Sequence, residues 1–176
     1  MLTTALEEAI ASYGTRPINS RYFHGDQRLP LRSEHYRFRA GHVASEGGRL
    51  PEGILFNRDF TSYFLVLQAL RDGTHVDAAV LGFNVEGTIA DCLQIQGGHD
   101  RFKELTPVRW DRALLAALLE LSEKSELTQV QVVPAICVHG HTWQNAERLE
   151  KRYDQNAVYH HFRYDREISR WVRTPR

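Results

Sequence analysis

The chain is expected to fold as an α+β domain, with a mixed, mostly antiparallel sheet built around a central βαβ unit. Three observations predict this. Residues 88–96 alternate imperfectly between polar and apolar, as a strand does, and stop at Gly97-Gly98. Leu114, Leu118 and Leu121 then recur at helical spacing, widened by Leu115 and Leu119, before residues 129–134 alternate again with Val130 and Val132 on one face. Strand, crossover helix and strand make a parallel pair with a right-handed crossover. Upstream, apolar stretches separated by the Arg71-Asp72-Gly73-Thr74 and Glu86-Gly87 turns read as an antiparallel meander.

A chain of 176 residues is read as one domain, 1–176, with 1–60 as an N-terminal extension and first elements and 61–176 as the core. Lys plus Arg equals Asp plus Glu at 22 each, so no global field recruits nucleic acid or a membrane surface. No apolar run reaches the roughly 20 residues needed to cross a bilayer. The first residues lack the basic start and long apolar core of an export signal, so a cytoplasmic location is the expectation. Cys92 and Cys137 both fall in apparent strands, which predicts buried thiols in a reducing compartment.

Taken in order, residues 2–13 form an amphipathic helix with Leu2, Leu6, Ala9 and Ile10 on one face, ended by Gly14. Residues 16–32 are turn-rich. Within them Arg21-Tyr22-Phe23-His24-Gly25 reads as a loop that touches substrate or, more simply, one anchored by burying Tyr22 and Phe23. Residues 35–39 make a short strand with Tyr36 and Phe38 on one face, and 44–51 a mobile loop around Gly47-Gly48. The β-branched and aromatic content of 62–70 favours a strand, paired with 76–85. Thr106 as N-cap and Pro107 at the first helical position are expected to open the crossover helix, with Asp111 as a second candidate cap and an end near Ser125. Residues 144–162 read as one helix with Trp143, Leu149 and Tyr153 on a shared face, and with Glu147, Lys151 and Arg152 exposed, the first two as a favourable pair. Residues 168–173 close the sheet.

The second half of this string resembles the GNAT-type acyl-CoA N-acyltransferases. The residues that carry the resemblance are 88–96 followed by Arg109-Trp110-Asp111 and the leucine helix, then 129–135, then 149–162 ending in His161-Phe162 before the last strand. The family usually ends that helix with Gly-Phe, and it opens the leucine helix with a Gly-rich turn whose amides hold the CoA pyrophosphate. Here Arg109 stands at the turn, Asp111 would repel phosphate, and Gly97, Gly98 and Arg101 are the nearest substitutes for the cradle. A cofactor turn of this altered kind also suits a non-catalytic binding module that takes a peptide at the sheet's open end.

The resemblance implies acetyl-CoA or another acyl-CoA as co-substrate and a small-molecule or peptide amine as acceptor; a homodimer is compatible with it. It implies that a backbone N–H at Ile95 or Gln96 polarises the thioester carbonyl, that Tyr153 or Tyr159 protonates the leaving thiolate, and that Glu86 or His141 serves as base. It also points Asn145 at the pantetheine amide. Packing is the plainer role for Tyr153, and a solvated turn the plainer one for Glu86. A separate chemistry comes from the residues alone: Cys137, His139 and His141 alternate along an apparently extended stretch and suit zinc, with His160, His161 or His24 to complete the shell.

Overall fold

The computed structural model describes residues 2–13, 16–24, 33–44, 50–98 and 102–175. Helix α1 (Leu2–Tyr13) leads into the two-residue strand β1 (Arg16–Pro17) and then β2 (Tyr36–His42), β3 (Tyr63–Arg71), β4 (Thr74–Glu86) and β5 (Ile89–Gly97). Helices α2 (Phe102–Leu105) and α3 (Trp110–Lys124) precede β6 (Gln129–Val132); α4 (Ala146–Arg152), α5 (Asp154–Tyr159), β7 (Arg163–Asp165) and β8 (Arg170–Arg173) follow. One eight-stranded sheet holds them in the order β1-β2-β3-β4-β5-β6-β8-β7. Every neighbouring pair is antiparallel except β5 and β6, which are joined through α3 and run parallel from Ile89↔Gln129 to Cys92↔Val132. The expected α+β class and central βαβ unit are therefore present.

The leucine stripe explains the main core. Leu114, Leu115, Leu118 and Leu121 of α3 are buried against Val130 and Val132 of β6 and Leu81, Phe83 and Ile95 of the meander. The other sheet face is thinner: Phe64, Val66 and Val80 are covered by Val43, Leu50, Ile54 and Phe56. Tyr36 and Phe38 share a buried face, and Tyr22 is buried in the main core with Phe23 packed against it, so the anchoring role holds for both rings.

Several expectations change. The crossover helix starts at Trp110, not at Thr106-Pro107, which form a turn after α2. A tertiary bridge is the reason: His24 N–H donates to Pro107 O at 3.0 Å and Arg109 N–H to Tyr22 O at 2.7 Å, so the groups a first helical turn would use are already taken. Asp111 is not the N-cap; it lies inside the first turn. The first central strand runs through Gly97 rather than stopping before it.

The expected helix over 144–162 is two short helices broken at Tyr153 (φ −104°, ψ −64°). Consecutive side chains at the break are anchored on different elements. Tyr153 reaches β5, while Asp154 accepts from Ala135 N–H at 3.1 Å and from Trp171 Nε1–H at 2.7 Å. Leu149 and Tyr153 are buried, but Trp143 is 84% exposed and shares no face with them. Helix α5 ends in a Schellman motif: Phe162 N–H bonds Ala157 O, His161 N–H bonds Val158 O, and His161 takes φ +61°. That left-handed backbone is what a Gly would adopt freely. The expected loop of 44–51 and the helix end at Gly14 fall largely outside the described residues.

Candidate functional site

The two parallel strands part after Cys92 and Val132. Val133 N–H makes one more bond, to Cys92 O, and Pro134, which lacks a donor, ends the ladder. A single 3-10 turn, Ala135–Cys137, then carries the chain away. Strand β5 continues to Gly97 against β4, with a register shift that sets Gly82 opposite Gln94 and Phe83 opposite Cys92. Leu93 is thus the extra residue of a bulge at the point of divergence, a local bend that widens the gap.

Side chains from the α4–α5 junction finish the edge that β6 abandons. Ile95 N–H donates to Tyr153 Oη at 2.7 Å. Arg152 Nη1–H donates to Ile95 O at 3.2 Å and to Gln96 Oε1 at 3.1 Å, and its guanidinium lies 5.0 Å from the Trp110 ring centre. Tyr153 is fully buried. Burial pushes its phenol well above the ordinary value, with the Cys92 thiol adding to the rise, while the Ile95 amide and Arg152 oppose it. The hydroxyl is therefore neutral at physiological pH, and its oxygen accepts one bond while its proton stays available. Tyr153 has the packing role, and because its oxygen takes the Ile95 N–H, that amide is not free to polarise a thioester carbonyl as the resemblance implied.

A cavity of about 720 Å3 opens beside this edge, on the face covered by residues 50–60. Leu93, Gln94 and Gln96 form its floor, with Phe56, Phe60 and Val138 as walls. Gln94 is locked: its Oε1 accepts from Asn57 N–H at 3.1 Å, and its Nε2–H donates to Asn57 O at 2.8 Å and Thr61 Oγ1 at 3.0 Å. Gly82 is required beneath it, because a Cβ there would lie 2.8 Å from Gln94 and Thr61. The exposed Cys137 and His139 also line the cavity, and the His139 ring sits 5.7 Å from Phe60.

The expected phosphate cradle is built differently. Gly98 N–H donates to Ala78 O at 2.7 Å, and Gly97 is packed so that a Cβ would meet Leu105 and Trp110 at 3.1 Å. Arg109 spends its amide on Tyr22 O. The Asp111 carboxylate accepts from Arg112 N–H at 2.9 Å and from its own amide, so it occupies the start of α3 where an anion would sit. Burial raises its pKa, opposed by these amides and by Arg152 and Arg112. Arg101 lies outside the described residues. Next to Asp111, a cleft of about 420 Å3 is lined by Trp110, Gln144, Arg148, Lys151 and Arg152. Its cations are Arg148, Arg152 and Lys151, the last paired with Glu147 of the same cleft.

Other candidates are dispersed. Glu86 pairs with Ile89 at the hairpin tip, the end of β5 away from Ile95. His141 is half-buried in the loop before α4, with its amide on Val138 O, and does not line the cavity. Asn145 does precede a helix, but its amide is spent locally, accepting from Thr142 N–H at 2.8 Å and donating to Gly140 O at 2.9 Å. The zinc reading is overturned. Cys137 ends a 3-10 turn and Gly140 reverses the chain at φ +81°, so Cys137, His139 and His141 do not alternate along a strand, and no metal-binding group occurs among the described residues. For the same reason Cys137 is exposed rather than buried in a strand, whereas Cys92 is buried. Arg152, expected to be exposed, is half-buried against β5, and Gln94 and Asp154 were missed. The only sequence signal for them was position: Arg152 and Asp154 flank Tyr153, and Gln94 is a polar residue inside a strand.

No family model matches the chain, and no curated protein matches it in sequence. Among solved structures, it is similar to PaiA N-acetyltransferase from Thermoplasma acidophilum in complex with coenzyme A, at 12% identity and a TM-score of 0.36 over 68% of this chain and 58% of that one. It is also similar to the ribosomal-protein-S18-alanine N-acetyltransferase from Escherichia coli, at 17% identity and a TM-score of 0.36 over 72% of each chain. The match thus spans less than two thirds of the archaeal protein. Likeness at this level leaves function to the geometry of the site.

Proposed function

We propose that the chain is an acyl-CoA-dependent N-acyltransferase of the GNAT type. One observation carries the reading. The parallel strands diverge at a bulge, and the freed stretch of β5 lines a cavity through Leu93, Gln94 and Gln96, next to Ile95, whose buried N–H is held by the neutral phenol of Tyr153. Acyl transfer from a thioester needs few protein groups beyond these. An amine that has lost its proton to water or to His139 attacks the carbonyl, the C–N bond forms, and the C–S bond breaks. The Tyr153 hydroxyl gives its proton to the departing thiolate as the second proton of the amine nitrogen passes through water to the phenol oxygen, which restores the neutral phenol that burial favours. The cavity, walled by Phe56, Phe60 and Val138, receives the amine's apolar body. Arg148 and Arg152 take the diphosphate in the adjoining cleft, in place of the helix amides that Asp111 holds.

Acetyl-CoA that binds the native state raises the melting temperature by linkage. A rise with millimolar acetyl-CoA, and thiol release when amines are added, is the expected result; no rise overturns the assignment. Asp111 at the helix start favours a second reading, a binding module without turnover. That reading expects a rise with peptide amines and none with acetyl-CoA.

A further inference from the structure

Beside the first turns of α3, four elements bring three arginines together. Arg21 comes from the 3-10 turn after β1, Arg112 from α3 and Arg173 from β8, around Tyr22 and the end of α5. Each guanidinium is tethered without being neutralised. Arg21 stacks 4.8 Å from the Tyr22 ring centre and donates to Tyr22 Oη at 2.6 Å. Arg112 stacks 4.0 Å from the Tyr159 ring centre, and Arg173 Nη1–H donates to His160 O. All three act electrostatically on the His160 imidazole, whose Nε2 bonds Arg112 O at 3.0 Å, and Tyr22 feels both Tyr159 and Arg173.

Among the described residues, none of the three forms an ion pair. Two of the acids nearby are otherwise engaged, and the third, Glu123, is exposed. Glu120 binds Arg16 and Lys124, and Asp111 is turned onto the α3 amides. A cavity of about 570 Å3 is lined by Arg21, Tyr22, His160 and Arg173 together with Arg16, Glu120 and Glu123, while Arg112 and Tyr159 lie outside its lining. It shares no lining residue with the 720 Å3 cavity or the 420 Å3 cleft. Three like charges held at one place by aromatic and carbonyl tethers repel one another unless an anion joins them. Planar guanidinium forks match the oxygens of a phosphate, and phenol hydroxyls add neutral donors.

We propose that Arg21, Arg173 and Tyr22, which line this cavity, form a binding site for a phosphate monoester or diphosphate, with Arg112 adding charge from beside His160, separate from the acyl-transfer edge at Ile95. The site does not depend on the acyltransferase reading. The phosphate belongs either to a free phosphorylated metabolite or to a phosphate group carried on the co-substrate.

The test is calorimetric titration of the full chain with inorganic pyrophosphate at constant ionic strength. The expected result is one-to-one binding that weakens about tenfold or more in Arg21→Ala and in Arg173→Ala, each checked for an unchanged melting curve. Arg21→Ala removes an exposed side chain, so it reads the site even where Arg173→Ala loosens the fold. Absence of binding in the low millimolar range, or affinity unchanged in both variants, overturns the site. Titration with CoA and with 3′-dephospho-CoA then identifies the source. A wild-type preference for CoA that Arg21→Ala abolishes assigns the phosphate to the co-substrate. Equal affinities, with pyrophosphate binding undisturbed, assign it to a free metabolite.

Discussion

The phenol of Tyr153 sits 2.7 Å from the backbone nitrogen of Ile95, where the departing β6 would otherwise have supplied a carbonyl. Tyr153→Phe keeps the ring and removes that acceptor, leaving a buried N–H unsatisfied. The expected cost is about 1–3 kcal/mol, measured by urea denaturation. In the acyltransferase reading, turnover also falls about 100-fold or more while acetyl-CoA affinity changes little. An equal loss of turnover and affinity would confine Tyr153 to packing.

Asp154 ties three segments together through one oxygen, which accepts from Ala135 N–H and Trp171 Nε1–H. Asp154→Ala orphans both donors. Unfolding free energy should fall by about 2–3 kcal/mol, and hydrogen exchange at Ala135 should quicken more than exchange in β4. Uniform acceleration across the sheet would show a global rather than a local effect.

His161 holds a left-handed backbone at φ +61° at the end of α5. A side chain there costs about 1–2 kcal/mol, part of which Gly returns to the flexibility of the unfolded chain. His161→Gly should therefore stabilise the fold by about 0.5–1 kcal/mol, seen as a higher denaturation midpoint. A lower midpoint would mean that the imidazole makes compensating contacts.

Acid should weaken the fold in two steps. Burial, together with Arg173, Arg21 and Arg112, lowers His160 from 6.5 to about 4, against the pull of its bond to Arg112 O. A lowered folded-state value means that the unfolded chain binds the proton first. The stability from His160 is fully present above pH 6.5 and is lost as pH falls toward 4, up to about 3 kcal/mol. Asp77 lies in the same direction: burial raises it, but Arg39, Gln68 and the Glu52 amide outweigh burial and hold it below the usual carboxylate value. Its contribution survives at pH 5 and disappears only below the ordinary carboxylate range. In His160→Gln the decline between pH 6.5 and 4 should flatten, while the later one persists. A decline of unchanged slope would remove His160 as its source.

The sheet was readable because its strands have a strong local identity. Residues 63–71 are nearly all apolar and buried on both faces, and the Asp72-Gly73 turn sits at φ values that its residues tolerate. The leucine stripe placed α3 on the central pair because every one of those leucines is buried. What escaped was set by distant contacts. Nothing near Pro107 signals that residues 22–24 claim its carbonyl, and nothing near Cys137 signals that Pro134 and Gly140 turn its stretch into a loop. Of the candidate site, the resemblance singled out Ile95 and Tyr153, and they meet through a bond that takes the amide expected to face the thioester. Glu86, His141 and Asn145 came from the same source but lie in a hairpin tip and a self-bonded loop.

The contrast between the two cysteines has a practical corollary. Cys92 is sealed in the core, and Cys137 is exposed where it lines the 720 Å3 cavity beside β5. A maleimide dye attached to the native, cysteine-unmodified chain would thus settle at one known spot, and its emission would report on the filling of that opening without any engineered handle.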